Sequence, residues 1–169
     1  MMTRTGLLKK IEFWLLLLII LVTVILAVGR VLDWYSLGFF VGPFRASHWL
    51  VIVGATYIAI ATPAFSILKN RPQAKYETLV KLHVIGNLSA VLLVTIHFAS
   101  QVTRSAPARL ETGFALYVVM LLLVASGFLY RFRIIPRFNI STNRLLHVGV
   151  ALSFYILIGI HVLHGLGIL

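Results

Sequence analysis

Long apolar runs alternate with short polar connections along the chain. Five of the runs are close to the ~20 residues an α-helix needs to cross a hydrocarbon core of about 30 Å. They cover roughly residues 11–29, 48–68, 80–101, 113–132 and 145–168, and no stretch between them is long enough for a soluble domain. The expected fold is therefore all-α, an integral membrane bundle of five transmembrane helices forming a single domain over residues 1–169. MMTRTGLLKK followed by an apolar run also has the form of a secretory signal, with Ala27-Val28-Gly29 as a cleavage site. The run from Phe13 to Val28 is at the long end for a signal core, so it is read as a retained first helix. Pro63 removes a backbone donor from the second helix and should kink or loosen it, which membrane helices tolerate. The connection VLDWYSLGFFVGPFRAS is rich in Trp, Tyr and Phe, which fits a belt at headgroup level; a wall of a quinone or partner site is the alternative.

Composition agrees with the pattern: 60% of the 169 residues are hydrophobic, 11% are charged, and the mean hydropathy is +1.02. A net charge of +11 and a pI near 10.8 would suit nucleic acid only if the charge lay on the face of a soluble domain. Here it lies in the connections, so the partner it implies is the lipid bilayer and not nucleic acid. Arg4, Lys9, Lys10, Lys69, Arg71, Lys75, Lys81, Arg131, Arg133, Arg137 and Arg144 fall on one side, against Arg30, Arg45, Arg104 and Arg109 on the other. Positive residues are retained on the cytoplasmic side, so the N-terminus is expected to be cytoplasmic and the C-terminus external, in the cell or inner membrane. The chain has no cysteine, which excludes disulfides, thiolate metal sites, iron–sulfur clusters and covalent c-type haem.

Four of the six histidines repeat one spacing: His83 and His97 on the third helix, His147 and His161 on the fifth, fourteen positions apart in each case. Fourteen residues fall about 40° short of four helical turns and rise about 21 Å, so the two rings of a helix share a face but cannot share an ion. The third and fifth helices run in the same direction, which sets His83 level with His147 and His97 level with His161. Two imidazoles on opposite faces of a flat macrocycle are what a six-coordinate b haem requires, whereas zinc or copper wants three or four ligands at one level. The contexts also match. LHVIGNLSAVLLVTIH and LHVGVALSFYILIGIH coincide at Leu, His and Val, then at Leu88/Leu152, Ser89/Ser153, Leu93/Leu157, Ile96/Ile160 and the second His. Gly86, Ala90, Gly149 and Gly159 would leave gaps for a porphyrin, although small residues are common in membrane helices anyway. The competing reading makes these ordinary membrane histidines, bonded to neighbouring helices or lining a proton path.

The paired H-x13-H helices, with R-L-L-H at residues 144–147 opening the second, resemble the transmembrane domain of the ferric reductase and NADPH oxidase superfamily. Cytochrome b of the bc complexes is similar. The resemblance covers about residues 78–169 and implies two haem b groups, ligated by His83 with His147 on the cytoplasmic side and by His97 with His161 on the outer side. Members usually continue into a further helix and a cytoplasmic flavin and nicotinamide domain. No G-x-G-x-x-G or flavin motif occurs here, so the resemblance carries over the electron path and not the reductase activity.

Secondary candidates surround this core. Arg144 and Lys81 stand next to the inner histidines and could pair with haem propionates, as Arg104, Arg109 and Arg45 could on the outer side. His48 and His164 are candidates for a substrate or quinone site, or simply solvated groups at the boundary. Asn87, Ser89, Thr95, Ser126 and Ser153 are expected to bond backbone carbonyls or neighbouring helices. The function expected is that of a membrane cytochrome b subunit relaying electrons between a partner subunit or quinone and an acceptor. A self-contained transmembrane haem reductase and a haem-free structural or proton-conducting subunit are the alternatives.

Overall fold

The structure, a computed structural model, describes residues 11–71, 75–104, 111–132, 139–165 and 167–168. Arg4, Lys9, Lys10, Arg109, Arg133 and Arg137, read above as topology signals or propionate partners, lie outside them. The fold is all-α, with five long apolar helices of membrane-spanning length: α1 (Ile11–Val31), α2 (Ala46–Leu68), α3 (Tyr76–Val102), α4 (Glu111–Phe132) and α5 (Ile140–Gly165). A hairpin of two short strands, β1 (Phe40–Val41) and β2 (Phe44–Arg45), joins α1 to α2. The chain divides into two units, residues 1–104 and 105–169.

In the first unit α3 is the central element, packed against both α1 and α2, and it buries Leu88, Ala90, Val91, Ile96 and Ala99. The α2–α3 contact is close because of two glycines. A Cβ on Gly54 would stand 2.9 Å from the Ala90 carbonyl oxygen, and one on Gly86 would fall 1.8 Å from the Tyr57 hydroxyl. That hydroxyl donates to the Leu82 carbonyl at 2.9 Å, a bond between helices in a medium with no water to compete. In the second unit α4 and α5 pack against each other, with Met120 and Phe154 buried. The outward faces remain apolar: Leu18, Leu21 and Ile25 of α1 and Leu152 and Ile156 of α5 are exposed, as lipid-facing residues should be. The protein is integral to the membrane.

The helix ends explain the boundaries. After α1, Asp33 takes φ +56°, the Trp34 N–H donates to the Gly29 carbonyl and the Asp33 N–H to the Arg30 carbonyl, which together close a Schellman motif. Gly29 permits it, since a Cβ there would meet the Trp34 ring at 2.8 Å. Gly167, at φ +71°, ends α5 in the same way, with Ile168 N–H on the Leu163 carbonyl and its own N–H on that of His164. In the hairpin turn Gly42 has φ +61° and is followed by Pro43, which cannot take a positive φ; this is the type II′ pattern. Trp49 Nε1–H donates to the Val41 carbonyl at 2.7 Å and ties the hairpin to α2, while Trp34, Phe39 and Phe40 stay exposed. α2 runs unbroken through Pro63, so the expected kink does not interrupt the helix.

Candidate functional site

All four repeated histidines are partly buried, and each has its Nδ1 engaged by its own unit. In the second unit, Ser126 Oγ lies 3.0 Å from His147 Nδ1, and Thr112 Oγ1 lies 3.0 Å from His161 Nδ1. The two partners are themselves fourteen positions apart. Because α4 and α5 are antiparallel with equal rise per residue, a step of fourteen up one helix matches a step of fourteen down the other. Each partner is followed by glycine, and both glycines meet the ring. A Cβ on Gly127 would stand 3.0 Å from His147 Cε1, and one on Gly113 would stand 3.3 Å from His161 Cε1. A hydroxyl–glycine pair thus repeats along α4 in step with the histidines of α5: the hydroxyl holds Nδ1 and the glycine lets the ring edge approach the helix.

The hydroxyl also bears on the tautomer. Ser126 Oγ lies 3.0 Å from both the Leu123 carbonyl oxygen and His147 Nδ1 and has one proton to give. With that proton on the Leu123 carbonyl, His147 carries its own proton on Nδ1 and its lone pair on Nε2. The same holds for His97, whose Nδ1 lies 3.1 Å from the Ser47 carbonyl oxygen, a group that can only accept. His83 differs. Asn87 Nδ2 approaches its Nδ1 at 3.1 Å and Thr62 Oγ1 at 3.4 Å, while Asn87 Oδ1 is buried without a partner. As placed, the amide nitrogen can only donate, which leaves the lone pair of His83 on Nδ1, the tautomer opposite to that of His97; turning the amide over would only move the buried orphan from Oδ1 to Nδ2.

Rings pack on the first-unit histidines as well. His83 stacks on Phe65 with centroids 4.5 Å apart, and Lys69 lies over the same phenyl ring at 5.5 Å. His97 meets His48 edge to face at 5.2 Å. Two imidazoles on opposite sides of one iron would instead be coaxial, with about 4 Å between the ligating nitrogens alone for metal–nitrogen bonds of about 2 Å. His48 is thus a packing neighbour of His97, and its Nδ1 is buried without a partner.

Other expected site residues are placed as follows. The gap at Gly86 is occupied by the Tyr57 ring, so this glycine serves helix packing within the first unit. Among the described residues nothing lies within 4 Å of a Cβ built on Gly149 or Gly159. Lys81 Nζ is paired with Glu77 at 3.1 Å, one turn away on α3. Arg144 and His164 are exposed on α5. Ser89 and Ser153 donate to the carbonyls of Ile85 and Gly149, as expected of membrane serines. The residues that sequence reasoning missed are Thr112, Gly113, Gly127, Thr62, Phe65 and Tyr57. Thr-Gly at 112–113 and Ser-Gly at 126–127 were the available signal, since they share the interval of the histidines.

The donor set fits an axial haem ligand. Metal-bound imidazole ordinarily donates its second N–H to a carbonyl or hydroxyl, which orients the ring and raises its basicity. A group of three or more His, Cys, Asp or Glu that could hold a bare metal ion is absent among the described residues. Comparison with known proteins adds no likeness: no family model matches the chain, and neither the curated proteins nor the solved structures give a match.

Proposed function

We propose that this membrane protein is a cytochrome b subunit whose four repeated histidines ligate two b haems, in the pairs His83 with His147 and His97 with His161. The observation that carries the reading is the hydroxyl bonding of His147 and His161, repeated along α4 at the histidine interval, beside the His97 Nδ1–Ser47 carbonyl bond that leaves Nε2 as the lone-pair nitrogen of His97. The pairing rests on the register of the sequence and on the resemblance to the ferric reductase superfamily. Haem would supply one-electron chemistry, and this chain would supply ligands, their orientation and low-dielectric surroundings. In this role the chain passes electrons between a partner subunit or quinone on one side of the membrane and an acceptor on the other.

A haem-free helical subunit, structural or proton-conducting, is the second reading, and two observations favour it. The described histidines are already satisfied by hydroxyls, carbonyls and rings inside their own units. Nor do the described residues include a cluster of the kind that holds a bare ion. The second point weighs less against haem than against zinc, because a six-coordinate haem takes only two protein ligands. A pyridine haemochrome assay on the purified chain separates the two. Two b haems per chain, falling to one in His97→Ala, are expected; a wild-type chain without a Soret band overturns the haem reading and leaves the haem-free one.

A further inference from the structure

The hairpin end of the first unit gathers three arginines from three elements. Arg30 closes α1, Arg45 begins α2, and Arg104 follows α3. Arg30 is buried, only 4% exposed, and well held: Nη1 pairs with Asp33 at 2.5 Å and Nη2 donates to Thr103 Oγ1 at 3.1 Å. Arg104 presses its guanidinium against the hairpin, where a Cβ on Gly38 would meet Nη2 at 2.8 Å. Arg45 lies over the Phe40 ring at 5.5 Å. The three are electrical neighbours: Arg45 and Arg30 both act on Arg104, whose pKa is lowered first by burial and then by these two charges. Arg45 and Arg104 in turn act on His48.

Two features of this end lack compensation. Asp33 is the only carboxylate that forms an ion pair with any of the three arginines among the described residues, and it is engaged by Arg30. Three buried nitrogens, Arg30 Nε, Arg104 Nη1 and His48 Nδ1, have no hydrogen-bond partner among the described residues. Buried polar groups are almost always satisfied, so nitrogens of this kind beside like charges call for a partner, whether a water or an anion.

We propose that this end of the unit binds a phosphate group, held by the forked guanidinium groups of Arg104 and Arg45 with His48 Nδ1, while the buried Arg30 adds fixed positive charge. Phosphate suits the site because its several oxygens can accept from donors on different elements and because arginine meets it two bonds at a time. The ends of α1, α2 and α3 lie at the height where apolar helices leave the hydrocarbon and lipid phosphates begin. A lipid headgroup and free phosphate share this chemistry. Arg45 and Arg104 are also the outer propionate candidates of the haem reading, so the phosphate site is tested on the chain free of haem.

The test is native mass spectrometry and equilibrium retention on the full-length, delipidated chain in neutral detergent, offered phosphatidylglycerol, phosphatidylcholine or inorganic phosphate. The wild type is expected to hold a phosphate-bearing species at least tenfold more tightly than Arg45→Gln/Arg104→Gln. The Lys81→Gln/Arg144→Gln chain, equal in charge loss, should match the wild type. Arg45→Lys/Arg104→Lys keeps the charge without the fork and should fall between. Competition by inorganic phosphate identifies a free-anion site, and retention of phospholipid without such competition identifies a headgroup site. Far-UV circular dichroism confirms that each variant is folded. A wild type that retains none of the probes, or an Arg45→Gln/Arg104→Gln chain that retains them equally, overturns the proposal.

Discussion

Replacing Ser126 by alanine removes two bonds at once, the one it donates to Leu123 and the one it accepts from His147. Interhelical hydrogen bonds in membranes average about 0.6 kcal/mol with a maximum near 1.7, whereas a buried donor left unsatisfied costs about 1–3. His147 is only partly buried, so a loss of about 1 kcal/mol of stability is expected. The effect on the ligand should be larger than on the fold. An outer-shell partner of a metal-bound histidine is typically worth 10–100-fold in affinity, or about 1.4–2.8 kcal/mol. Haem titration of the purified chain, followed at the Soret band, measures this, and histidine 15N chemical shifts report the His147 tautomer independently of haem. Ser126→Thr keeps the hydroxyl and should restore both readouts. Ser153→Ala is the control, because that serine is exposed on α5 and bonds its own helix at Gly149. If Ser126→Ala matches Ser153→Ala in affinity and in the nitrogen shifts, the hydroxyl does not position His147 and the argument from tautomer fails.

Further outcomes follow from the packing. Gly86→Ala drives a methyl into the Tyr57 ring and should destabilise the first unit by about 1–3 kcal/mol, and Tyr57→Ala should recover part of the loss; additive effects in thermal unfolding of the double variant would contradict the contact. Lys81→Gln breaks a pair whose members are 48% and 79% exposed, so it should change stability by less than about 1 kcal/mol in chemical denaturation. A large fall in haem retention in that variant would restore Lys81 as a cofactor contact. The chain has no cysteine, so single cysteines report topology directly. With the N-terminus cytoplasmic, Lys75→Cys should resist an impermeant maleimide added to intact cells and Trp34→Cys should react; the reverse pattern inverts the expected orientation.

The five helices were legible because lipid imposes a single requirement, an apolar run of fixed length, and such runs survive any rearrangement of neighbours. The N-terminal ends of α3 and α5 shifted outward, to Tyr76 and Ile140, because hydropathy marks the hydrocarbon core whereas backbone hydrogen bonding continues beyond it; α5 ends at Gly165, short of the expected 168. The fourteen-residue interval of the histidines was equally plain, being a property of one helix at a time. Gly86 was read by its type alone, and a small residue on a membrane helix says only that something comes close. Whether that is a porphyrin or the Tyr57 ring depends on the register between α2 and α3, which no local pattern expresses. Arg30 escaped for a similar reason: its burial depends on Thr103, seventy-three positions away.

The two units place their histidines by different means that reach the same end. In the second unit side-chain hydroxyls of α4 hold both rings, whereas in the first the Ser47 backbone carbonyl holds His97 and an amide with an aromatic face holds His83. Three of the four reach a neighbouring helix through Nδ1, and His97 does so as donor, since its partner is a carbonyl. A rotating ring bonded at one nitrogen becomes a fixed one, and the second nitrogen then points in a direction set by the helix pair. The His147 tautomer, a quantity measurable without any cofactor, is the sharpest point at which to test the haem proposal.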